Sequence, residues 1–425
     1  MKFYPIVNFD NPRYCKFHMY NKKTPPLFLL ICLVGFPQIS ETIYTPALPD
    51  LARALGVGMD WAEFTLTTYF VGFAFGVLTF GILSDIFGRR ASMLFGISVY
   101  WVGCVACSYA ESIEILLLFR FIQACGAAAG SVVTQTILRD VYTGTARSRA
   151  FAVISGALAF SPAVGPFLGG IIDQFFSWRA NFHFLSAMGL IFGVVSFFSL
   201  PETKPLESAG SSRWNAGLGK LIREMALDRQ LCAYVLLIGA SNGIIFSYYA
   251  EAPFLFIEVL RLTPIQYGCL GMVVASSSVM ASFLSIRLNQ LYSSEKTVGI
   301  GAGITSVGAL LFWLVSQFLD SAAVPSFETA LGLFFAMVGL FVGLGLMIPN
   351  CLSHALARYR DRSGTAGSLF GFAYYGLIAG FTGLMSLLHN GSPRIMPAYF
   401  FLLSLGMILI CRFVLRDRGI LQTGS

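Results

Sequence analysis

Charge is what this sequence has least of. Only 12% of its 425 residues are Asp, Glu, Lys or Arg, about half the share of an ordinary globular chain. With 56% hydrophobic residues and a mean hydropathy of +0.73, a water-soluble fold is excluded. Histidine is scarcer still: His18, His183, His354 and His389 are scattered without ligand spacing. No GxxxxGK[ST] loop occurs, which argues against nucleotide-driven chemistry and against an enzyme of that kind. The nine cysteines fall nearly all in apolar runs, and Cys104-x-x-Cys107 has no companion ligands. No metal and no cofactor are therefore expected. The net charge of +7 is dispersed through loops, so nucleic acid is not an expected partner.

What the sequence has is long apolar runs, about twelve of which reach the ~20 residues that cross ~30 Å of hydrocarbon as helix. They lie near 27–47, 60–82, 91–109, 112–138, 148–174 and 179–200, then 230–257, 265–287, 297–318, 328–350, 364–387 and 396–414. The expected fold is all-α, with twelve transmembrane helices in two pseudo-symmetric six-helix bundles. The expected division is an N-terminal arm (1–26), a first bundle (27–200), a linker (201–229), a second bundle (230–415) and a tail (416–425). The first run has no small-residue cleavage site at its end and is read as a retained helix. Of the 28 basic residues, 23 fall on one side of this topology. Arg53, Arg179, Arg261 and Arg394 fall on the other, and Arg120 lies inside a span. Basic loops stay cytoplasmic, so both termini are expected inside. Adding 207 to a first-half number gives the matching second-half position: Pro46 meets Pro253, Arg89 meets Lys296, and Tyr44 meets Glu251. Parallel repeats with a site between them are a transporter pattern.

Four stretches carry polar chemistry. Gly81-Ile-Leu-Ser-Asp85-Ile-Phe-Gly88-Arg89-Arg90 reads as a polar hinge after the second run. Its acid is placed to pair with Arg89 or Arg90, or to face the positive N-terminus of a neighbouring helix. The fourth run holds Arg120, too deep for easy snorkelling, so it needs a partner or a wet cavity. Gln123, Ala127, Ser131 and Thr134 continue its face at helical spacing; a purely structural arginine is the alternative. Helix 5 carries Gly165-Pro166-Phe-Leu-Gly169-Gly170, a kink with a small-residue packing face. Helix 1 ends Gln38-Ile-Ser-Glu41-Thr-Ile-Tyr44-Thr45-Pro46, with Gln38, Glu41 and Thr45 on one face. Glu41 is an intramembrane carboxylate and a functional candidate by default. Burial and a nearby guanidinium would compete over its proton. Glu251, two residues before Pro253, is a second candidate, with a surface acid as the alternative. Asp60 and Glu63 read as charges at a helix N-terminus. Aromatic residues on the cavity helices, Tyr69, Tyr248 and Tyr374 among them, suit lipophilic or cationic cargo.

The pattern G-x-L-x-D-x-x-G-R-R at Gly81–Arg90 closely resembles the loop 2–3 signature of the major facilitator superfamily. Arg120 to Ala129 resembles the R-x-x-Q-(G/A)-x-G-A-A motif of its proton-coupled members. Gly165–Gly170 looks like the core of the antiporter motif of its exporters. The end of helix 1 is similar to D-x-Y-x-P-A-L-P of the Bcr/CflA drug-exporter branch, whose acid falls at Thr42 here. The resemblance implies an inner-membrane secondary transporter, acting as a monomer by alternating access. It implies proton-coupled efflux of small lipophilic or cationic compounds, with the proton gradient as energy source. Its partners would be a small-molecule substrate, protons and the lipid bilayer. Export of one specific metabolite or siderophore, or proton-coupled import, stays open. It further implies that Glu41, Arg120 and Glu251 handle the proton. Gln38, Tyr44, Thr45, Tyr69, Gln123, Ser131, Tyr248 and Tyr374 would line the substrate cavity. Asp85 would latch onto the start of helix 11, near Ser363 and Gly364, when the transporter faces outward.

Overall fold

A computed structural model describes residues 24–158, 160–204, 218–319 and 327–415. The first 23 residues of the expected arm, residues 205–217 of the linker and the tail lie outside the described residues, as do the side chains of Ser363 and Gly364. Among the described residues, twelve helices are long and apolar enough to cross a membrane. They are α1 (Leu27–Leu55), α2 (Met59–Phe87), α3 (Arg89–Ser108), α4 (Ile113–Val141), α5 (Arg149–Phe175) and α6 (Trp178–Ser199). The second set is α7 (Arg229–Val259), α8 (Pro264–Leu291), α9 (Ser294–Ser316), α10 (Glu328–Tyr359), α11 (Thr365–Leu388) and α12 (Ile395–Leu415). Among the described residues there is no strand. A short amphipathic helix, Leu218–Leu227, precedes α7 and buries Leu221 and Met225.

The outer helices keep apolar faces uncovered, with Phe198 on α6, Val307 on α9 and Leu402 on α12 all more than half exposed. Such surface is costly in water and neutral in lipid. The two halves meet where α2 runs along α11 and where α5 runs along α8. Both halves break their first helix at the repeated proline. In α1 the α-helix stops at Thr42 and a 3-10 turn spans Thr45–Ala47. In α7, Pro253 leads into a π-helical turn, Phe254–Val259. Proline has no N–H for the ladder and crowds the preceding turn, so the ladder must re-form around it.

The Gly81–Arg90 stretch is not a ten-residue loop. α2 continues through Asp85 to Phe87 and α3 begins at Arg89, leaving Gly88 alone between them at φ +95°, a backbone region that L side chains avoid. Arg89 is nearly buried. Its guanidinium donates to Asp85 Oδ1 at 3.1 Å, to Asp140 Oδ2 at 2.8 Å and to the Ser84 carbonyl at 2.7 Å. Arg90 turns elsewhere, donating to the Phe197 carbonyl at 2.6 Å. The expected Asp85–Arg89 pair is thus present, and it ties α2 to the end of α4. The matching junction between α8 and α9 uses neutral groups instead: Asn289 donates to Asn350 at 2.8 Å and accepts from Thr297 at 2.8 Å.

Glu202, just past α6, caps α3 from outside its own sequence. Its carboxylate accepts from the backbone N–H of Arg89 at 2.9 Å and of Arg90 at 3.1 Å, and from Thr203 and Lys204. Burial works to raise its pKa, but these N–H groups outweigh burial and hold it below the usual carboxylate range. Two otherwise orphaned donors at a helix N-terminus are satisfied this way. Because the carboxylate is solvent-exposed and screened, Glu202→Ala is expected to lower stability by only about 0.5–1 kcal/mol, read as a lower thermal midpoint in detergent. Because the native pKa is depressed, the contribution is full above about pH 4.3 and fades as the pH falls through the native value.

Candidate functional site

A cavity of about 830 Å³ enters between the halves at the end that carries the basic loops. Asp85, Arg89, Arg139 and Asp140 stand at its mouth, Ser131 and Gln135 line one wall, and Tyr374 and Tyr375 lie at its blind end. The polar face of α4 is therefore continued by Ser131 and Gln135. Thr134 turns inward and is fully buried.

The opposite end is shut. Thr67 on α2 donates to Thr382 on α11 at 3.3 Å, Arg53 pairs with Glu258 at 3.4 Å, and Gln174 accepts from the Ile265 N–H at 3.4 Å. Each contact joins one half to the other. The antiporter-motif residues lie here. Gly165 and Gly169 seat α5 against Thr42 and Ile43 of α1, while Gly170 and the Pro166 carbonyl face Pro264 and Gly268 of α8. A Cβ at position 170 would strike the Pro264 carbonyl. Gly170→Leu should therefore hold this end open, seen as roughly tenfold faster hydrogen exchange in the first turns of α8.

Beyond the blind end lies a buried cation in an aromatic cage. Arg120 is fully buried, its guanidinium 4.1 Å from the Tyr44 ring and 4.4 Å from the Tyr69 ring. It donates to Gln123 Oε1 at 2.6 Å, and Gln123 Nε2 in turn donates to Cys104 Sγ at 3.0 Å. Its Nε and Nη2 have no hydrogen-bond partner. Tyr44 and Thr65 hydroxyls meet at 3.1 Å, and Tyr69 donates to the Pro37 carbonyl at 3.3 Å, which fixes both rings. Glu41 is 4% exposed and within electrostatic reach of Arg120, Tyr69 and Tyr374, yet it forms no ion pair. Between this cage and the second half, rings close the midplane: Phe70 on Phe246 at 4.3 Å and Phe73 on Tyr375 at 4.6 Å.

Of the eight residues expected to line the cavity, Ser131 and Tyr374 do so in this conformation. Gln123, Tyr44 and Tyr69 belong to the arginine cage, and Tyr248 packs edge-on to Phe341 at 5.1 Å with its hydroxyl unpartnered. Gln38 is half-buried on α1. Thr45 leaves the face of Glu41 because the helix ends before it; its hydroxyl donates to the Thr42 carbonyl at 2.8 Å.

Two residues that local sequence reading missed complete a cluster at the closed end. Glu63, expected as a helix-terminal charge, is fully buried. His389, expected to be isolated, places Nδ1 at 2.7 Å from Glu251 Oε2 and 3.1 Å from Glu63 Oε1. Glu251 is 5% exposed and is no surface acid. A carboxylate in the second turn of a membrane helix, flanked by Trp61 and Phe64, was the available signal.

The family model of the Major Facilitator Superfamily matches residues 30–384. An uncharacterized transporter of Rickettsia bellii is 34% identical over 92% of this chain and 96% of its own. The bicyclomycin resistance protein homolog of Haemophilus influenzae is 28% identical over 81% and 85%. Multidrug resistance protein D of Escherichia coli is 26% identical over 81% and 84%. Among solved structures, a D-xylose-proton symporter superposes with a TM-score of 0.67 at 15% identity, covering 90% of this chain and 96% of that one. The Haemophilus and Escherichia relatives are drug-resistance transporters of the Bcr/CflA type, and the family consists of transporters rather than enzymes. The chain is a multi-pass membrane transporter and belongs to the Major Facilitator Superfamily.

Proposed function

We propose that this transporter exports small lipophilic or cationic compounds in exchange for protons, acting as a monomer from the inner membrane with both termini cytoplasmic. The observation that carries the reading is the 830 Å³ chamber open at the basic end and ending beside a buried acid and a buried base that are not paired. Its size suits drug-sized ligands, and its tyrosine floor suits apolar or cationic ones. The names of the Haemophilus and Escherichia relatives point the same way. In this scheme cargo enters from the cytoplasm and is held near Glu41. After the bundles rock, a proton from outside neutralises Glu41 and cargo leaves, with Arg120 available as the carboxylate's alternative counter-charge. Each charge crossing is worth about 2.3 kcal/mol per 100 mV, enough to move cargo uphill.

The test uses purified protein in liposomes with an acidic interior, the electrical potential clamped at zero and ethidium as probe. Ethidium should accumulate inside and be released by a protonophore. Accumulation that ignores the protonophore, or movement toward the alkaline side, rejects the reading.

A further inference from the structure

We infer that Glu63, Glu251 and His389 form a second proton-binding site, which clamps the outer mouth shut when loaded from outside and lets it open when emptied. The inference rests on the orientation and alternating access proposed above, but not on the role of Glu41.

The three groups come from both halves: Glu63 from α2, Glu251 from α7, and His389 from the residue after α11. They are brought within 4.8 Å of one another only because the bundles are closed at this end. Two carboxylates share one Nδ1, at 2.7 and 3.1 Å. Both Glu63 oxygens otherwise have no hydrogen-bond partner although the side chain is fully buried. With both acids ionised and the imidazole protonated, the cluster would carry a net charge of −1 out of contact with water, which is strongly disfavoured. One more proton makes it neutral and gives Glu63 an O–H to donate. His389 supplies the fixed positive charge. Burial opposes its protonation, but the hydrogen bonds it donates to Glu251 and Glu63 overcome burial and push its pKa up to about 10.

Among the described residues, nothing else at this mouth bonds to the cluster or supplies the missing charge. Among the described residues, the other titratable or charged side chains at this end include Asp50 and Arg53 on α1, Asp60 on α2, Asp173 on α5, Tyr248 on α7, Glu258 in the π-helical turn and Arg394 before α12. Arg53 is taken up by Asp50 and Glu258, and none of the others bonds to the cluster. The Phe254 ring packs on the imidazole at 5.7 Å and excludes water. A metal ion fits the spacing less well. Ligand atoms tetrahedral about zinc at 2.0–2.2 Å stand roughly 3.3 Å apart, whereas 2.7 Å is a direct hydrogen bond.

The proton balance is simple. On closure, hydronium outside gives its proton to the Glu63 carboxylate and leaves water; on opening, the same proton returns outside. Outside acidity thus lengthens the time spent facing inward, where cargo is collected, and keeps discharged cargo from re-entering.

The test places a reporter cysteine in the closed seam, Thr382→Cys, and follows its modification by a membrane-impermeant maleimide from outside. Labelling is read on the peptide carrying residue 382 and corrected by labelling in denaturant at the same pH. Otherwise native protein should label roughly tenfold faster at external pH 8.5 than at 5.5. Glu63→Gln, neutral at every pH, should label slowly and without pH dependence. His389→Asn should label fast and without pH dependence. Glu41→Gln should keep the native pH dependence, which separates this site from the export reading. A flat response in the parent, or a Glu63→Gln protein that titrates like the parent, overturns the inference. So does a protection removed by EDTA, which would mean a bound metal.

Discussion

Glu41→Gln protein is expected to fold normally and to lose proton-driven accumulation of ethidium by at least about a hundredfold. The side chain is 4% exposed and forms no ion pair, so the isosteric amide removes no structural bond. What it removes is the capacity to change charge. In the parent, acidification should weaken ethidium binding, because the protonated carboxyl no longer opposes the probe's charge. In the variant, binding should not vary across that range. The two measurements are ethidium accumulation in liposomes and equilibrium binding in detergent from pH 5 to 9. A variant that retains the parent's pH dependence would move the coupling proton off Glu41.

The second large effect is a dissociation between stability and transport at Arg120. Arg120→Met keeps the length of the stem and removes the guanidinium. Lost with it are three cation–π contacts, to Tyr44, Tyr69 and Phe182, each up to about 2 kcal/mol when desolvated, and the bond to Gln123, about 1.5–3 kcal/mol. Gained is relief from burying a cation whose Nε and Nη2 are unpartnered, a penalty of several kcal/mol. The opposing contributions are of similar size, so the thermal midpoint should move by only a few degrees. Transport should nevertheless fall at least about a hundredfold, because Glu41 loses its alternative counter-charge. A collapse of the fold would show instead that the arginine is structural. Full transport by a stable variant would show that it is dispensable.

The spans were legible because hydropathy is a local property and membrane helices need it over some twenty consecutive residues. The Asp85–Arg89 pair was legible for the same reason: its members are one helical turn apart, with only Gly88 interrupting the ladder. Arg120 announced itself by being charged in the middle of an apolar run. The closed-end cluster did not. Glu251 and His389 stand 138 residues apart in the chain, and each has an ordinary local explanation. Glu63 sits near a helix start and Glu251 near a helix end, while His389 sits beside a loop. Only the packing of one half against the other makes them a unit, and no window of sequence contains that. Thr45 misled for a related reason. Its spacing from Glu41 is helical on paper, but Pro46 ends the helix first. The role of Glu202 was hidden too, since the helix it caps begins 113 residues earlier.

The rings at the midplane, Phe70 on Phe246 and Phe73 on Tyr375, have a consequence for electrical tightness. They stand between the open chamber on one side and the acidic cluster on the other, and three of the four rings are phenylalanines, which offer water no hydrogen bond. A hop of hydrogen ions straight through the idle protein, which would short-circuit the membrane's voltage, is therefore disfavoured. Under the proposed exchange, traffic in either direction would wait for the whole-body swing, which would keep the exchange stoichiometric rather than a leak.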